Sequence, residues 1–376
     1  MEARPRVLMV AEGSGGHLIP ALEVARALTH SGSQVLLLYG RRKQLAGLLP
    51  GLVQEAHEHG IQLRALALKP TRRMLGWINR LGQAVVIWRV TRQQLARFQP
   101  DVIVGFGGWL SVPAIIAARQ RHIPVVLHEQ NVLFGRANRL LCRWADRVAL
   151  SFAESAAQLT RQTGVVTGLP IRPTIGAGSR HRAAAQFGLD PARPTVLVLG
   201  GSQGSRAMNR LVHKMLEQLD GRERSAWQFI HLTGQADYED ASRAYAASGL
   251  RSWVAPHLVE MALAYAMADV VIARAGASTI AELASCGKPA ILIPYPYAGG
   301  HQRENARVVE SAGAAVQLEE STTSPQRLLR LLRRLIEDRR LQEMMGAQMK
   351  TLARPDATQR LASAITGLAA VQVHAN

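Results

Sequence analysis

The chain alternates short, unbroken apolar segments with amphipathic ones, and it does so in two successive blocks. Unbroken apolar strands followed by helices are typical of a parallel sheet that is covered by helices on both faces. In the first block we predict strands over 6–13, 34–40, 101–108, 124–131 and 147–152, and helices over 17–30, 72–98, 111–121 and 135–145. The sequence therefore predicts an α/β fold that begins with a doubly wound domain.

A segment rich in proline and glycine, residues 168–179, interrupts this pattern. The alternation then restarts, with strands predicted over 194–202, 227–234, 269–276, 289–296 and 314–320, and helices over 205–219, 258–267, 278–286, 301–312 and 325–349. We predict two Rossmann-like doubly wound parallel-sheet domains, 1–170 and 171–350, that face each other across a cleft where ligands bind. Residues 351–376 are expected to form a C-terminal helix. One option for this helix is that it crosses back to pack on the N-terminal domain.

The formal net charge of +18 restricts the choice of partners. Residues 1–170 hold 21 of the 45 Lys and Arg residues but only 9 of the 27 Asp and Glu residues. An excess of this kind attracts nucleic acid, anionic lipid or phosphorylated ligands. A nucleic-acid binder is the least favoured of these classes because the sequence has no RNA-reading motif and no basic, aromatic sheet surface.

The cysteines and the apolar runs bear on the cellular compartment. Cys142 and Cys286 offer neither a disulfide framework nor a zinc spacing, so we expect two reduced thiols. No apolar run reaches the roughly 18 residues that a membrane-spanning helix needs. The short run after Arg4 and Arg6 leads into a glycine turn and not into a signal-peptide cleavage site. These features favour the cytoplasm.

In each block, one glycine-rich turn follows the first strand. These turns are Gly13–His17 in the first block and Gly200–Ser205 in the second. Glycine allows a phosphate to approach the backbone closely, and a helix N-terminus supplies unpaired N–H groups. The spacing differs from the G-x-G-x-x-G of dinucleotide-binding folds, and no acidic residue ends the second strand, so NAD is disfavoured. A single turn of this kind could be a plain strand-to-helix connection, whereas the pair indicates a cleft for a diphosphate.

The segment from Arg274 to Glu282 places a carboxylate on the helix that follows a third glycine turn. The two oxygens of Glu282 match the two adjacent hydroxyls of a ribose. The alternative is a capping box in which Ser278 or Thr279 caps the helix and Glu282 completes the cap. Gln302 follows another strand end and can read sugar hydroxyls through its amide, although a solvated helix start is equally compatible with it.

His17 and Glu129 are the candidates for a general base. Both fall at the carboxyl ends of predicted strands of the first block, and transfer to a hydroxyl needs a base that is active near neutral pH. A lone histidine is more often structural, and this reading stays open for His17. No arrangement of acidic residues resembles a metal site, so helix dipoles, hydroxyls and arginine would have to stabilise a departing diphosphate.

The stretch from Lys69 to Arg97 accounts for much of the positive charge. Apolar residues recur there at helical spacing and are interleaved with arginines, which is typical of a helix that rests on anionic lipid. The predicted membrane patch consists of Arg72, Arg73, Met74, Leu75, Ile78, Leu81 and Trp88. Trp109 and Leu110 could extend it. The alternative is that the apolar stripe packs on the protein's own sheet.

Taken together, these motifs resemble those of the MurG family of glycosyltransferases, over essentially the whole chain. The motifs are Gly13–His17 continuing to Pro20, Val104–Trp109, His128–Asn131, Gly168–Arg172, the Gly200 and Gly276 turns, and Gln302 with Asn305. The resemblance implies a GT-B fold of glycosyltransferase family 28. It also implies inverting transfer of N-acetylglucosamine from UDP-N-acetylglucosamine to lipid I, which forms lipid II for peptidoglycan synthesis.

The resemblance also assigns residues and partners. It implies donor contacts at Ser14, Gly15, Gly16, Asn131, Arg172, Ser202, Leu258, Ala277, Ser278, Thr279, Ile280, Ala281, Glu282 and Gln302. It implies His17 as the base, with Glu129 as the second candidate. We expect no cofactor and no metal, because no site visible in the sequence requires one. The expected location is peripheral, on anionic lipid at the cytoplasmic face of the inner membrane, where other cell-wall synthesis proteins are potential partners. A diacylglycerol glycosyltransferase or a UDP-sugar 2-epimerase is an alternative, which the His128–Asn131 cluster disfavours.

Overall fold

The computed structural model describes residues 4–13, 15–41, 49–67, 76–160, 163–297 and 299–373. The chain divides into two compact units, of which the first comprises Met1–Arg172 with Pro355–Asn376 and the second comprises Pro173–Arg354. Within the described residues, no helix is both long and apolar enough to cross a membrane.

The first unit is built on a seven-stranded parallel sheet. Its strands are β1 (Arg6–Ala11), β2 (Gln34–Arg41), β3 (Gln62–Ala67), β4 (Val102–Gly105), β5 (Val125–Glu129), β6 (Arg147–Leu150) and β7 (Thr163–Val166). Its helices are α1 (Gly15–His30), α2 (Leu49–Glu58), α3 (Gly76–Phe98), α4 (Ser111–Arg119) and α5 (Arg136–Leu141), with 3-10 helices at Cys142–Trp144 and Ala153–Gln158. The strand order is β3-β2-β1-β4-β5-β6-β7.

Successive residues of β1 pack on opposite faces of this sheet. Val7 and Met9 belong to the core that α1 and α2 cover, whereas Leu8 and Val10 belong to the core that α3 and α4 cover. All five apolar residues from Val7 to Ala11 are completely buried. This two-sided burial explains why the strand is an unbroken apolar run, and it confirms the predicted doubly wound arrangement.

The second unit has a six-stranded parallel sheet. Its strands are β8 (Thr195–Leu199), β9 (Gln228–Leu232), β10 (Arg251–Ala255), β11 (Val270–Ala273), β12 (Ala290–Leu292) and β13 (Ala315–Gln317), in the order β10-β9-β8-β11-β12-β13. Its helices are α6 (Arg180–Phe187), α7 (Arg206–Leu216), α8 (Gly221–Ala226), α9 (Tyr238–Ser248), α10 (Met261–Met267), α11 (Ala277–Cys286), α12 (His301–Ser311), α13 (Pro325–Glu337) and α14 (Arg339–Thr351), with a 3-10 helix at Gln235–Asp237. The predicted α/β class with two parallel sheets is confirmed.

The last helix, α15 (Ala357–Val373), belongs to the first unit. It packs beside α1, and Leu361, Ile365 and Ala369 join the core on that face of the first sheet. Arg147 at the start of β6 donates from Nη1 to the Ala364 carbonyl at 2.7 Å, which ties the helix to the sheet. The chain therefore returns to its first unit after completing the second.

Three strands were absent from our sequence prediction, and all three lie at sheet edges. β3 and β7 are the outer strands of the first sheet, and β10 is an outer strand of the second. An edge strand is covered on fewer sides, so it does not need an unbroken apolar run. The single helix predicted over 325–349 is also wrong, because Asp338 ends α13 and caps α14 by accepting from the Leu341 N–H at 2.9 Å.

Candidate active site

In the first unit, the turn after β1 places His17 beside the turn after β4. Gly15 and Gly16 begin α1 and His17 is its third residue, while the predicted contact Ser14 lies outside the described residues. A Cβ atom placed on Gly107 would lie 3.5 Å from both His17 Nε2 and Asn138 Nδ2. Gly107 has a φ of +83°, so the turn also favours glycine conformationally. The half-buried His17 imidazole therefore lies beside the Gly107 turn.

Glu129 ends β5 and organises the loop that follows it. Its Oε1 accepts from the Asn131 N–H at 3.0 Å, and its Oε2 accepts from the Gly135 N–H at 3.0 Å and from Asn138 Nδ2 at 2.9 Å. The side chain is almost completely buried. In this structure both carboxylate oxygens therefore hold the 129–138 loop, and the predicted role of Glu129 as second candidate base stays a prediction.

His128 is a structural histidine of the same strand. It is completely buried, and its Nε2 lies 3.4 Å from the Gly168 carbonyl and 3.3 Å from Ser151 Oγ. Burial lowers the pKa of His128 to about 4, since a buried imidazolium loses its hydration. The ring is therefore neutral near pH 7 and packs against Phe106, with ring centroids 5.3 Å apart.

Asn131 and Arg172 are the remaining predicted donor contacts of the first unit. Asn131 is half-buried and is fixed by Glu129 through its backbone N–H. Arg172 is half-buried as well and lines a small pocket between α1 and α2 together with Glu23, Arg26 and Glu55. Burial raises the pKa of the Glu23 carboxyl, and the guanidinium groups of Arg26 and Arg172 oppose this rise. Arg172 thus lies in a charged environment at the end of its unit.

In the second unit, the turn after β8 is tightly packed against the turn after β9. A Cβ atom on Gly204 would lie 1.9 Å from the Thr233 carbonyl oxygen, and one on Gly234 would lie 2.2 Å from the Gln203 carbonyl oxygen. Ser202 is exposed on the outer side of this turn. Ser205 caps α7 by accepting from the Met208 N–H at 3.4 Å. The packing leaves the backbone between the two strands without room for side chains.

Arg274 lies immediately before the Gly276 turn, and our sequence reasoning did not single it out. It follows β11 and is 94% buried, and it donates to the carbonyls of Ile293 and Pro294 at 3.0 and 3.2 Å. It also bonds to Ser205 Oγ at 2.5 Å and forms an ion pair with Glu320. The guanidinium joins the ends of several strands. The sequence signal that could have identified Arg274 is its charge, which stands alone at the end of an apolar strand.

The Gly276 turn and α11 carry the predicted contacts Ala277, Ser278, Thr279, Ile280, Ala281 and Glu282. The residue that caps α11 is Gly276, no side chain bonds to the cap, and Glu282 is the sixth residue of the helix. The capping-box alternative is therefore wrong. Glu282 is half-buried, and its Oε2 accepts from the Tyr265 hydroxyl at 2.7 Å. Tyr265 is a second partner that sequence reasoning missed.

Leu258 and Gln302 complete the predicted contacts of the second unit. Leu258 is half-buried in the loop between β10 and α10. Gln302 is the second residue of α12, and its Oε1 accepts from the Tyr295 N–H at 2.9 Å. Because its oxygen is engaged, the amide can act on a ligand as a donor through Nε2. Asn305, one turn further along, is buried and donates to the Ala275 carbonyl at 3.2 Å, which supports the Gly276 turn.

The predicted membrane patch is only partly described. Arg72, Arg73, Met74 and Leu75 lie outside the described residues, as does the side chain of Ile78. Leu81 is 57% exposed on α3, and Val85 and Val86 on the same helix are 48% and 57% exposed. Trp88 is half-buried, and its Nε1 donates to Gln120 Oε1 at 3.0 Å. The inner side of this helix packs on the sheet, as the alternative reading predicted, and part of its apolar surface stays exposed, so binding to lipid stays a prediction.

Two smaller expectations can be compared with the structure. Trp109 is 40% exposed, whereas Leu110 is completely buried. The expectation that Leu110 could extend the membrane patch is therefore wrong. Both cysteines are free, as predicted. Among the residues that the structure describes, no three His, Cys, Asp or Glu side chains are grouped closely enough to hold a metal ion.

Comparison with known proteins places these features in a family. Residues 7–150 match the N-terminal domain of glycosyltransferase family 28, and residues 195–361 match its C-terminal domain. A relative from Desulfitobacterium hafniense is 37% identical over 95% of this chain and 97% of its own length. One from Mesorhizobium japonicum is 36% identical over 98% and 96%. Both are named UDP-N-acetylglucosamine--N-acetylmuramyl-(pentapeptide) pyrophosphoryl-undecaprenol N-acetylglucosamine transferase.

Solved structures agree with this placement. The crystal structure of Acinetobacter baumannii MurG is 29% identical, with a TM-score of 0.73 over 97% of this chain and 100% of that chain. A UDP-GlcNAc 2-epimerase from Neisseria meningitidis has a TM-score of 0.69 over 96% and 100% but is only 13% identical, which is a likeness of fold alone. The predicted GT-B class is confirmed, and the chain belongs to glycosyltransferase family 28.

Proposed function

We propose that this protein transfers N-acetylglucosamine from UDP-N-acetylglucosamine to lipid I (undecaprenyl-diphospho-MurNAc-pentapeptide) and so forms lipid II for peptidoglycan synthesis. The observation that carries the proposal is the identity shared over nearly the full length with transferases named for this reaction. The glycine turns and the carboxylate of Glu282 supply the features that a UDP-sugar needs. A diacylglycerol acceptor or an epimerase reaction has no comparable support.

In the proposed reaction, His17 acts on the acceptor. Its imidazole takes the proton of the attacking acceptor hydroxyl while the oxygen bonds to the anomeric carbon, and the bond from that carbon to the UDP oxygen breaks with the electron pair leaving on UDP. This single displacement inverts the anomeric configuration. The position of His17 at the start of α1, with its half-buried ring beside the Gly107 turn, supports this role, because a general base must lie within reach of the hydroxyl that it deprotonates.

The donor would be held mainly by the second unit. Glu282 would accept from the ribose hydroxyls, backbone near Leu258 would hold the uracil, and Gln302 would donate to the sugar. Ser202 and the N–H groups of the packed turn after β8 would meet the diphosphate, because unpaired backbone N–H groups favour negative charge. Our proposal includes no cofactor and no resident metal, and titration with a chelator during turnover checks this point.

A turnover assay tests the proposal directly. Purified protein is incubated with radiolabelled UDP-N-acetylglucosamine and either a lipid I analogue or diacylglycerol, and the labelled lipid is separated by chromatography. We expect label only in the lipid I product, with release of one UDP for each transfer. Labelled diacylglycerol, or N-acetylmannosamine formed without any acceptor, would instead identify one of the alternative enzymes.

We propose further that the exposed apolar surface of α3 seats the protein on anionic lipid at the cytoplasmic face of the cell membrane. Leu81, Val85 and Val86 present apolar area, and the exposed Arg89 and Arg92 follow on the same helix. Burying apolar area in lipid is favourable at about 25 cal/mol per Å², and each nearby arginine adds about 1 kcal/mol at an anionic surface. The two contributions together favour peripheral binding.

Replacing Leu81, Val85 and Val86 together by glutamate is expected to weaken binding to vesicles of anionic phospholipid by at least about tenfold, since apolar burial is lost and negative charge is added. Cosedimentation at several lipid concentrations measures the change. Met344→Glu is the matched control, because Met344 is also 57% exposed but lies on α14 of the second unit. Equal cosedimentation of the triple variant and the wild type would locate the membrane surface elsewhere.

A further inference from the structure

Tyr265 is a completely buried residue whose hydroxyl reaches a predicted ligand contact. It lies on α10, and its hydroxyl donates to Glu282 Oε2 at 2.7 Å. Burial raises the pKa of Tyr265 well above its usual value, and the neighbouring Glu282 carboxylate raises it further. The phenol therefore keeps its proton at any working pH and acts towards this carboxylate as a donor.

This hydrogen bond restricts the Glu282 carboxylate. A glutamate on a helix surface normally samples several rotamers, and ordering it costs free energy when a ligand binds. A donor fixed in the core removes part of that cost in advance, because the tyrosine ring cannot follow the carboxylate outwards. Glu282 is only half-buried, so part of the side chain that Tyr265 contacts from the core remains exposed to solvent.

We propose that Tyr265 is a positioning residue that orients Glu282 and thereby sets the preference of this protein for a ribose over a deoxygenated sugar in the nucleoside diphosphate. The inference rests on the proposed function, in which Glu282 accepts hydrogen bonds from the ribose hydroxyls. A carboxylate accepts hydrogen bonds through two oxygens, and the bond from Tyr265 to one of them restricts the directions in which the carboxylate can meet a hydroxyl. Discrimination by a buried polar pair of this kind depends on its orientation.

The second unit contains a matched control for a purely structural role. Tyr245 lies on α9, is 98% buried, and its hydroxyl has no hydrogen-bond partner among the described residues. Tyr245→Phe removes the same oxygen atom from a comparable core position. A packing effect of removing one buried oxygen atom should therefore occur in both variants, whereas an effect transmitted through Glu282 should occur only in Tyr265→Phe.

The experiment measures the affinity of UDP and of 2′,3′-dideoxy-UDP by equilibrium dialysis, without any acceptor. We expect Tyr265→Phe to bind UDP roughly five- to tenfold more weakly, which corresponds to the loss of about one hydrogen bond, and to bind the dideoxy analogue as the wild type does. Tyr245→Phe should keep the wild-type preference for UDP. Glu282→Gln should lose that preference, and adding Tyr265→Phe to it should cause no further loss.

Three results would overturn the inference. An unchanged preference in Tyr265→Phe, with Glu282→Gln impaired, would show that the hydrogen bond does not position the carboxylate. An equal loss in both tyrosine variants would reveal a general packing effect. If Glu282→Gln still preferred UDP over the dideoxy analogue, Glu282 would not be the residue that contacts the ribose hydroxyls. None of these results changes the outcome of the lipid I transfer assay, so a failure of this inference is distinguishable from a failure of the proposed function.

Discussion

Replacing His17 by alanine is expected to lower kcat by a factor of about 10² to 10⁴, the range typical of losing a general base, with little change in the donor KM. The acceptor hydroxyl must lose its proton as it attacks, and the imidazole is needed chiefly at that stage. A group that acts mainly in the transition state contributes to kcat and not to ground-state binding of the donor. Steady-state kinetics with a lipid I analogue measures both constants.

The same helix provides the control for this prediction. His30 is exposed at the opposite end of α1, so His30→Ala should retain the wild-type kcat. If His17 is the base, the rise of kcat with increasing pH should disappear in His17→Ala, because the rise reports deprotonation of that imidazole. Near-normal turnover by His17→Ala, together with a folded but inactive Glu129→Gln, would assign the base to Glu129.

How well the fold could be predicted depended on how deeply each strand is buried. β1 and β8 are central, and complete burial on both faces requires the continuous apolar runs by which they are recognised. β7 carries exposed Thr163 and Gly164, and no apolar pattern distinguishes it from a loop. These edge strands form because they pair with a neighbouring strand. That pairing depends on the tertiary fold and leaves little trace in the local sequence.

The candidate site divides in a similar way. The position of Glu282 after a glycine turn was visible in the sequence, because turn, strand end and helix start are local features. Tyr265 lies 17 residues earlier on another helix, and Glu320 meets Arg274 from 46 residues away. These partners are set by how the helices and strand ends pack together in the folded unit. Local motifs therefore point to candidate ligand contacts, which stay predictions, but they do not reveal the side chains that hold those candidates in place.

Replacing Gly204 by alanine is expected to destabilise the second unit by roughly 3 kcal/mol. The φ of Gly204 is +74°, a conformation that costs an ordinary residue about 1 kcal/mol or more. In addition, the new Cβ would lie 1.9 Å from the Thr233 carbonyl oxygen, so the turns after β8 and β9 must move apart. Chemical unfolding followed by circular dichroism measures the loss.

Gly201 isolates the contribution of the collision. It lies in the same turn with a φ of +87°, but no atom lies within 4 Å of a Cβ placed there. Gly201→Ala should therefore show only the conformational cost, about 1 kcal/mol, and the difference between the variants is the cost of separating the turns. Because the proposed diphosphate contacts depend on that packing, Gly204→Ala should also weaken UDP binding more than Gly201→Ala does. Equal unfolding free energies for the two variants would contradict the tight packing of these turns.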